Sequence, residues 1–307
     1  MGLVANIIVV DIRMEKKVFV CCESKNYHYM IEYVTSFIDL IDGTVLLIDS
    51  NYDEYNESDI YIFLQTIPSK LLQRPIRKMI INTEQMTLKE HNVKYGLIMA
   101  ITQMAHRIPP YDNIPVFDYS KENIKLLNTD RVLWIPYQYR EDEISVLKQL
   151  VIETAKIYDV VFIGFLSIKR KKIYDALVAC GITILNVDET WGIDRDKLAS
   201  QGKILLNIHY LDTYNIYESI RCDRWLFAGM MVVSEKSECM DEIDMRDLIL
   251  FADYENIVVQ VCEIVRNYGV YYDDFVKKHG LFMGNIVDDR KKNALHLNSY
   301  LSHEKNV

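Results

Sequence analysis

Nowhere in the sequence do two cysteines stand at CxxC spacing, and none of Cys21, Cys22, Cys180, Cys222, Cys239 and Cys262 has paired histidines nearby. Neither a zinc site nor a small disulfide framework is indicated, and a reducing, cytoplasmic setting fits. No apolar run approaches the ~20 residues of a membrane span. The start also lacks the basic, apolar and small-residue order of a signal peptide. The opening MGLVAN carries Asn6 where a myristoylation site wants Ser or Thr. No GxGxxG follows an early strand, which counts against a nucleotide-dependent oxidoreductase. With 44 acidic against 35 basic residues the formal charge is −9, which argues against a broad nucleic-acid surface and leaves room only for local basic pockets. Internal repeats and low-complexity tracts are missing too.

What is present suits a chain that is globular throughout: 50% of the residues are apolar and 26% are charged. A length of 307 residues fits two domains of about 130 to 150 residues each. Short β-branched runs recur, each followed by a longer helical pattern. The first series is KVFVCC (17–22), TVLLID (44–49), DIYIFL (59–64), KMIINTEQ (78–85) and IPVFDYS (114–120). A second comprises RVLWIPY (131–137), DVVFIGF (159–165), ITILNV (182–187), KILLNIH (203–209) and MMVVSE (230–235). Alternating strands and helices imply parallel α/β sheets, and the continuous apolarity of the second series implies strands covered on both faces.

Thr87 with Glu90 has capping-box spacing for a helix running towards Met104. The stretch HRIPPYDNIP (106–115) holds three of the six prolines and reads as a loop inside the first domain. The domain boundary falls in WIPYQYREDE (134–143), giving a first domain over 1–135, a second over 136–280 and a C-terminal tail over 281–307.

Ligands of open parallel sheets sit beyond the carboxyl ends of the strands, so the polar residues after each apolar run are the ones to weigh. GFLSIKRKK (164–172) joins Gly164 to Lys169, Arg170, Lys171 and Lys172 at a helix start. That combination suits a phosphate or diphosphate, and it equally suits a solvated helix face. In KILLNIHYLDTYNIYESIRCDR (203–224), a helix starting near Asn215 would place Ile216, Ile220 and Phe227 on one face and Glu218, Arg221 and Trp225 on the other. Glu218 could accept from ribose hydroxyls and Arg221 could grip a phosphate. The same residues could instead form a capping box from Asn215 and a plain surface ion pair. His209 is a ligand contact or a satisfied strand-end histidine, and Trp191 a base-binding wall or a buried ring. Glu84 and Asp118 each close an apolar strand, where a carboxylate can serve as catalytic base or as helix cap.

Taken in order, DVVFIGFLSIKRKKIYDAL, WGIDRDKLASQGKILLNIHYLDTYNIYESIRCDR and AGMMVVSEKSE resemble the donor domain of GT-B-fold glycosyltransferases, especially small members from large DNA viruses and bacteria. The resemblance covers roughly residues 131 to 268. In the first domain it is carried by INTEQ and VFDYS. It implies two Rossmann-like domains facing a cleft, the first binding an acceptor and the second a nucleotide-diphosphate sugar. It further implies glycosyl transfer to a hydroxyl of a glycan, protein or small-molecule acceptor, helped by Glu84 or Asp118 if configuration inverts. Gly164, Arg170, Lys171, Trp191, His209, Tyr217, Glu218, Arg221 and Arg224 would face the donor. No metal or other cofactor is expected, because no persuasive Asp-X-Asp motif is present and GT-B enzymes stabilise the leaving diphosphate with cations and helix termini. One departure stands out: Glu218 lies eleven residues before Gly229, where the family's helix places its glutamate about five before. The rival class is a non-catalytic α/β nucleotide-binding or assembly protein.

Overall fold

The computed structural model describes residues 16–24, 26–49, 51–87 and 92–306. The MGLVAN start and Glu90 of the expected capping box lie outside the described residues. The first domain comprises β1 (Val18–Glu23), α1 (Tyr27–Ile38), β2 (Gly43–Ile48), β3 (Ile60–Leu64), β4 (Arg77–Asn82), α2 (Asn92–Ala105), β5 (Val116–Asp118), α3 (Lys121–Leu127) and β6 (Val132–Trp134). After α4 (Glu141–Glu153), the second contains β7 (Tyr158–Ile163), α5 (Ile168–Ala179), β8 (Ile184–Val187), α6 (Gly192–Ala199), β9 (Gly202–Asn207), α7 (Ser219–Phe227), β10 (Met231–Glu235), β11 (Ile249–Ala252), α8 (Ile257–Arg266) and α9 (Tyr268–Asn306).

Each domain is built on a parallel sheet, in the order β2-β1-β3-β4-β5-β6 in the first and β11-β10-β9-β7-β8 in the second. The α/β class with two Rossmann-like domains facing a cleft is therefore the architecture observed. The apolar runs become strands because layers on both faces need them: every residue of β3 and of β10 is buried. β9 lies directly against β7, and a Cβ added at Gly202 would stand 2.9 Å from Val161 Cβ. RVLWIPY, grouped by sequence with the later strands, supplies β6 and pairs with β5 at the edge of the first sheet.

Residues 281–306 of the expected tail lie in α9, a single helix of 39 residues, and Val307 lies outside the described residues. Ile286, Arg290, Ala294, Leu297 and Leu301 are buried and recur at helical spacing, so α9 has one continuous inward stripe. That stripe returns to the first domain. Tyr300 meets Phe117 edge to face at 5.9 Å, and Asn293 Nδ2 donates to the Trp134 carbonyl at 2.7 Å. Arg290 pairs with Asp223 at 3.0 Å and Asp244 at 2.8 Å while lying 4.8 Å from the Trp134 ring centroid. Among the described residues no helix is long and apolar enough to cross a membrane.

Candidate active site between the two sheets

Both sheets reverse their strand order at an internal point, between β1 and β3 in the first and between β7 and β9 in the second. Crevices open at such points beyond the carboxyl ends of the strands. Here they meet in one cleft of about 740 Å³, lined by Tyr29, Glu32 and Glu84 from the first domain and by Gly164, Arg170, Trp191, Glu218 and Arg221 from the second. The volume suits a ligand of nucleotide size.

Gly164 ends β7 with φ of +114°, a conformation that favours glycine, and its N–H donates to the Val187 carbonyl at 2.8 Å. The chain then turns into α5, where the Ser167 hydroxyl caps the helix by accepting from Arg170 N. This turn sends the basic run in different directions. Arg170 is buried, donating to the carbonyls of Ile208 at 2.8 Å and Phe165 at 3.1 Å and to Glu218 Oε1 at 2.9 Å. Burial, with Arg221 beside it, lowers the Arg170 pKa to about 10, which still leaves it charged at neutral pH. Lys169 pairs with Glu235 at 2.6 Å. Lys171 is exposed, pairs with Asp175 at 2.7 Å and lies outside the cleft.

The helix expected from Asn215 begins at Ser219, with Glu218 at its N-cap position. Glu218 itself has φ of −84° and ψ of 68°, outside the helical region, and first-domain side chains hold the backbone just before it: Gln85 Oε1 accepts from Ile216 N and Glu122 Oε2 from Tyr217 N, each at 3.0 Å. Asn215 is no capping residue; its amide donates to Glu238 Oε2. Trp225 is buried rather than solvated. Glu218 pairs with Arg221 through one carboxylate oxygen and with Arg170 through the other. Burial pushes its pKa up, but Arg221 and Arg170 outweigh that and hold it below the usual range. Each oxygen of Glu218 is thus engaged by an arginine, leaving two guanidinium groups gathered at the cleft.

The other expected donor residues divide. Trp191 reaches the cleft, its ring 4.3 Å from His28 and 5.5 Å from Tyr29 between centroids. Arg224 also borders it, but the guanidinium is taken by Asp196 at 2.7 Å and Glu143 at 2.9 Å. His209 is buried outside the lining, its Nε2 3.0 Å from the Lys236 carbonyl, and burial lowers its pKa. Tyr217 is likewise buried away from the cleft. Sequence reading passed over Glu32 and Arg195, which pair at 2.9 Å across the domains. Arg195 also meets Asp196 at 2.9 Å, so this pair joins the Arg224 network.

On the first-domain side Glu84 lines the cleft and its Oε1 accepts from Gln65 Nε2 at 3.2 Å. Asp118 does not reach it. Fully buried, Asp118 accepts from Asn82 Nδ2 at 2.7 Å, Ser120 N at 2.8 Å and Asn123 Nδ2 at 3.0 Å. The two asparagine amides also donate to the Glu84 carbonyl, at 2.9 and 2.8 Å. Asp118 therefore fixes the loop that presents Glu84. Among the described residues no group of three or more His, Cys, Asp or Glu could hold a metal ion.

Asp118 and Glu122 give a pH expectation. Burial raises the Asp118 pKa to about 7 despite hydrogen bonds from Asn82, Ser120 and Asn123. It raises that of Glu122 to about 8 despite the backbone N–H groups of Tyr217 and Cys239. In the unfolded chain both ionise near pH 4. The folded protein then keeps protons that the unfolded chain releases, so this contribution is complete below about pH 4 and is lost as pH rises through about 8. Denaturation midpoints should fall between about pH 5 and pH 8, and Glu122→Gln should flatten the slope. Equal slopes in the two proteins would contradict the assignment.

No family model matches the sequence. Uncharacterized protein L140 of Acanthamoeba polyphaga mimivirus is 36% identical over 260 residues, which cover 83% of this chain and 82% of that protein. This chain belongs to the L140 family. Two further relatives from the same virus are longer: uncharacterized protein L137 is 39% identical over 261 residues and L138 is 34% identical over 296. The matches span only 34% and 31% of their lengths. Among solved structures, this chain is similar to an alpha1,3-fucosyltransferase, at TM-score 0.46 and 12% identity over 89% of this chain and 90% of that one. AviGT4, a glycosyltransferase involved in avilamycin A biosynthesis, gives TM-score 0.43 and 10% identity over 92% and 98%.

Proposed function

We propose that the protein is a glycosyltransferase that moves a sugar from a nucleotide-diphosphate donor to an acceptor hydroxyl. The observation that carries this reading is the pair Arg170 and Arg221, gathered by Glu218 at the switch point of the second sheet and facing a cleft bordered by Glu84. Cations held in advance of the reaction stabilise the negative charge that develops on a departing diphosphate. Gly164 leaves room for close approach of the phosphates, and Trp191 offers an aromatic wall for the base. The acceptor hydroxyl attacks the anomeric carbon, the bond from that carbon to the diphosphate oxygen breaks, and Glu84 takes the hydroxyl proton if the reaction inverts. Asp118 serves by holding the Glu84 loop. In this reading the two arginines supply the charge that a metal would otherwise supply. Lys171, His209, Tyr217 and Arg224 make no direct contact with the donor in this reading. The acceptor is a glycan, protein or small molecule, and the setting is cytoplasmic.

A panel of sugar nucleotides tests the reading. The expected result is thermal stabilisation by at least one donor, with nucleoside diphosphate released when an acceptor is added. Stabilisation without release would favour a nucleotide-binding protein that has no turnover. Arg221→Ala should weaken the affinity for the nucleoside diphosphate by about tenfold, the scale of one lost charged hydrogen bond. Unchanged affinity in a titration calorimeter would remove Arg221 from the diphosphate site.

A further inference from the structure

The loop over residues 208–218 joins β9 to α7 and ends in Glu218, the residue that gathers Arg170 and Arg221. Besides Glu238 of its own domain, which holds Asn215, three of its anchors come from the other domain. Ile216 N donates to Gln85 Oε1 and Tyr217 N to Glu122 Oε2, each at 3.0 Å, and the Thr87 hydroxyl donates to the Thr213 carbonyl at 2.9 Å. Gln85 and Glu122 are 4% and 2% exposed, so water does not readily replace either acceptor. The backbone directly before Glu218 is thereby fixed, and with it the origin of the Glu218 side chain.

We propose that Glu122, with Gln85 beside it, is a positioning residue for the diphosphate clamp, so that the first domain sets the geometry of the second domain's donor site. The inference rests on the donor-site reading above. Glu122 lies outside the cleft lining, so it can act on a ligand there only through the backbone it holds, at Tyr217 before Glu218 and at Cys239 after β10. Its sequence neighbour Asn123 holds the other side of the cleft: Nδ2 donates to the Glu84 carbonyl at 2.8 Å and Oδ1 accepts from Met86 N at 3.0 Å. Two adjacent residues in the first turn of α3 thus brace the acceptor-side acid and the donor-side arginines. The Ser120 cap fixes that turn, its hydroxyl accepting from Glu122 N at 3.2 Å. A displacement of α3 would move both sides of the cleft together.

The test compares wild type, Glu122→Met and Glu122→Gln. Methionine keeps the approximate length of the side chain and removes the acceptor, whereas glutamine retains an acceptor oxygen without charge. Dissociation constants are measured calorimetrically for UDP and GDP and for uridine and guanosine. Glu122→Met should weaken the nucleoside diphosphate by about tenfold, because misplaced donors lose the charged contacts, and change the nucleoside by less than about twofold. Glu122→Gln should restore the wild-type values. A folded Glu122→Met protein that binds the diphosphate as wild type does would overturn the inference. So would equal losses for nucleoside and diphosphate, or failure of Glu122→Gln to restore binding. If Glu122→Met does not fold, Gln85→Met applies the same comparison to the Ile216 hydrogen bond. Wild type that binds neither diphosphate would sink the donor-site reading and this inference with it. Wild-type binding with unaffected variants removes the inference alone.

Discussion

Glu218→Ala is expected to destabilise the fold by about 3 kcal/mol, the scale of removing one partner from a buried ion pair. The sequence alone suggests a substitution that weakens ligand binding more than folding. Its contacts change that expectation. Arg170 is 4% exposed, and without Glu218 Oε1 it would keep only the carbonyls of Ile208 and Phe165 as acceptors. An uncompensated guanidinium would then remain in the interior, while Arg221 would lose its carboxylate partner and keep Asn207 Oδ1, at 3.4 Å, as an acceptor. Diphosphate affinity should fall in the same variant. Glu218→Gln keeps an acceptor for Arg170 and should recover part of the stability. A Glu218→Ala protein with wild-type denaturation midpoint would show that the cluster contributes nothing net.

Glu84→Gln carries the second large effect. If Glu84 takes the acceptor proton, the variant should transfer sugar about 10²–10⁴ times more slowly with donor affinity unchanged, because general-base catalysis contributes on that scale. The neutral amide fits the same space and keeps an oxygen to accept from Gln65, and Asn82 and Asn123 hold the loop through the Glu84 backbone. Loss of donor affinity in parallel with rate would make Glu84 a binding residue. Transfer at the wild-type rate would exclude it as the base and fit a reaction that retains configuration.

The strands were legible because the cores of runs such as DIYIFL and MMVVSE, IYIFL and MMVV, are short and continuously apolar and recur between longer helical patterns, as strands covered on both faces do. Placing Gly164 and Arg170 beside the cleft follows from the same pattern and the strand-end rule. The start of α7 was not legible. Residues 215–218 carry a capping-box pattern, but the N–H groups of Ile216 and Tyr217 have acceptors 131 and 95 residues away in the chain. Local spacing cannot register such partners. The role of Asp118 was hidden for a related reason: a strand-end acid can turn outward or inward, and the two asparagines that draw it inward, Asn82 and Asn123, come from separate segments. Lys171 and Arg170 are adjacent and alike in charge, and only the helix turn set by Ser167 sends one to the cleft and the other to Asp175. The Glu32–Arg195 pair depends wholly on how the domains meet.

The most direct measurement is a crystal structure of the protein with a nucleoside diphosphate bound. The result expected has the diphosphate in the cleft within hydrogen-bonding distance of Arg170 or Arg221, next to Gly164, with the base towards Trp191. A nucleotide seated elsewhere, or in the cleft with both arginines still directed only at Glu218 and backbone carbonyls, would contradict the proposed donor site.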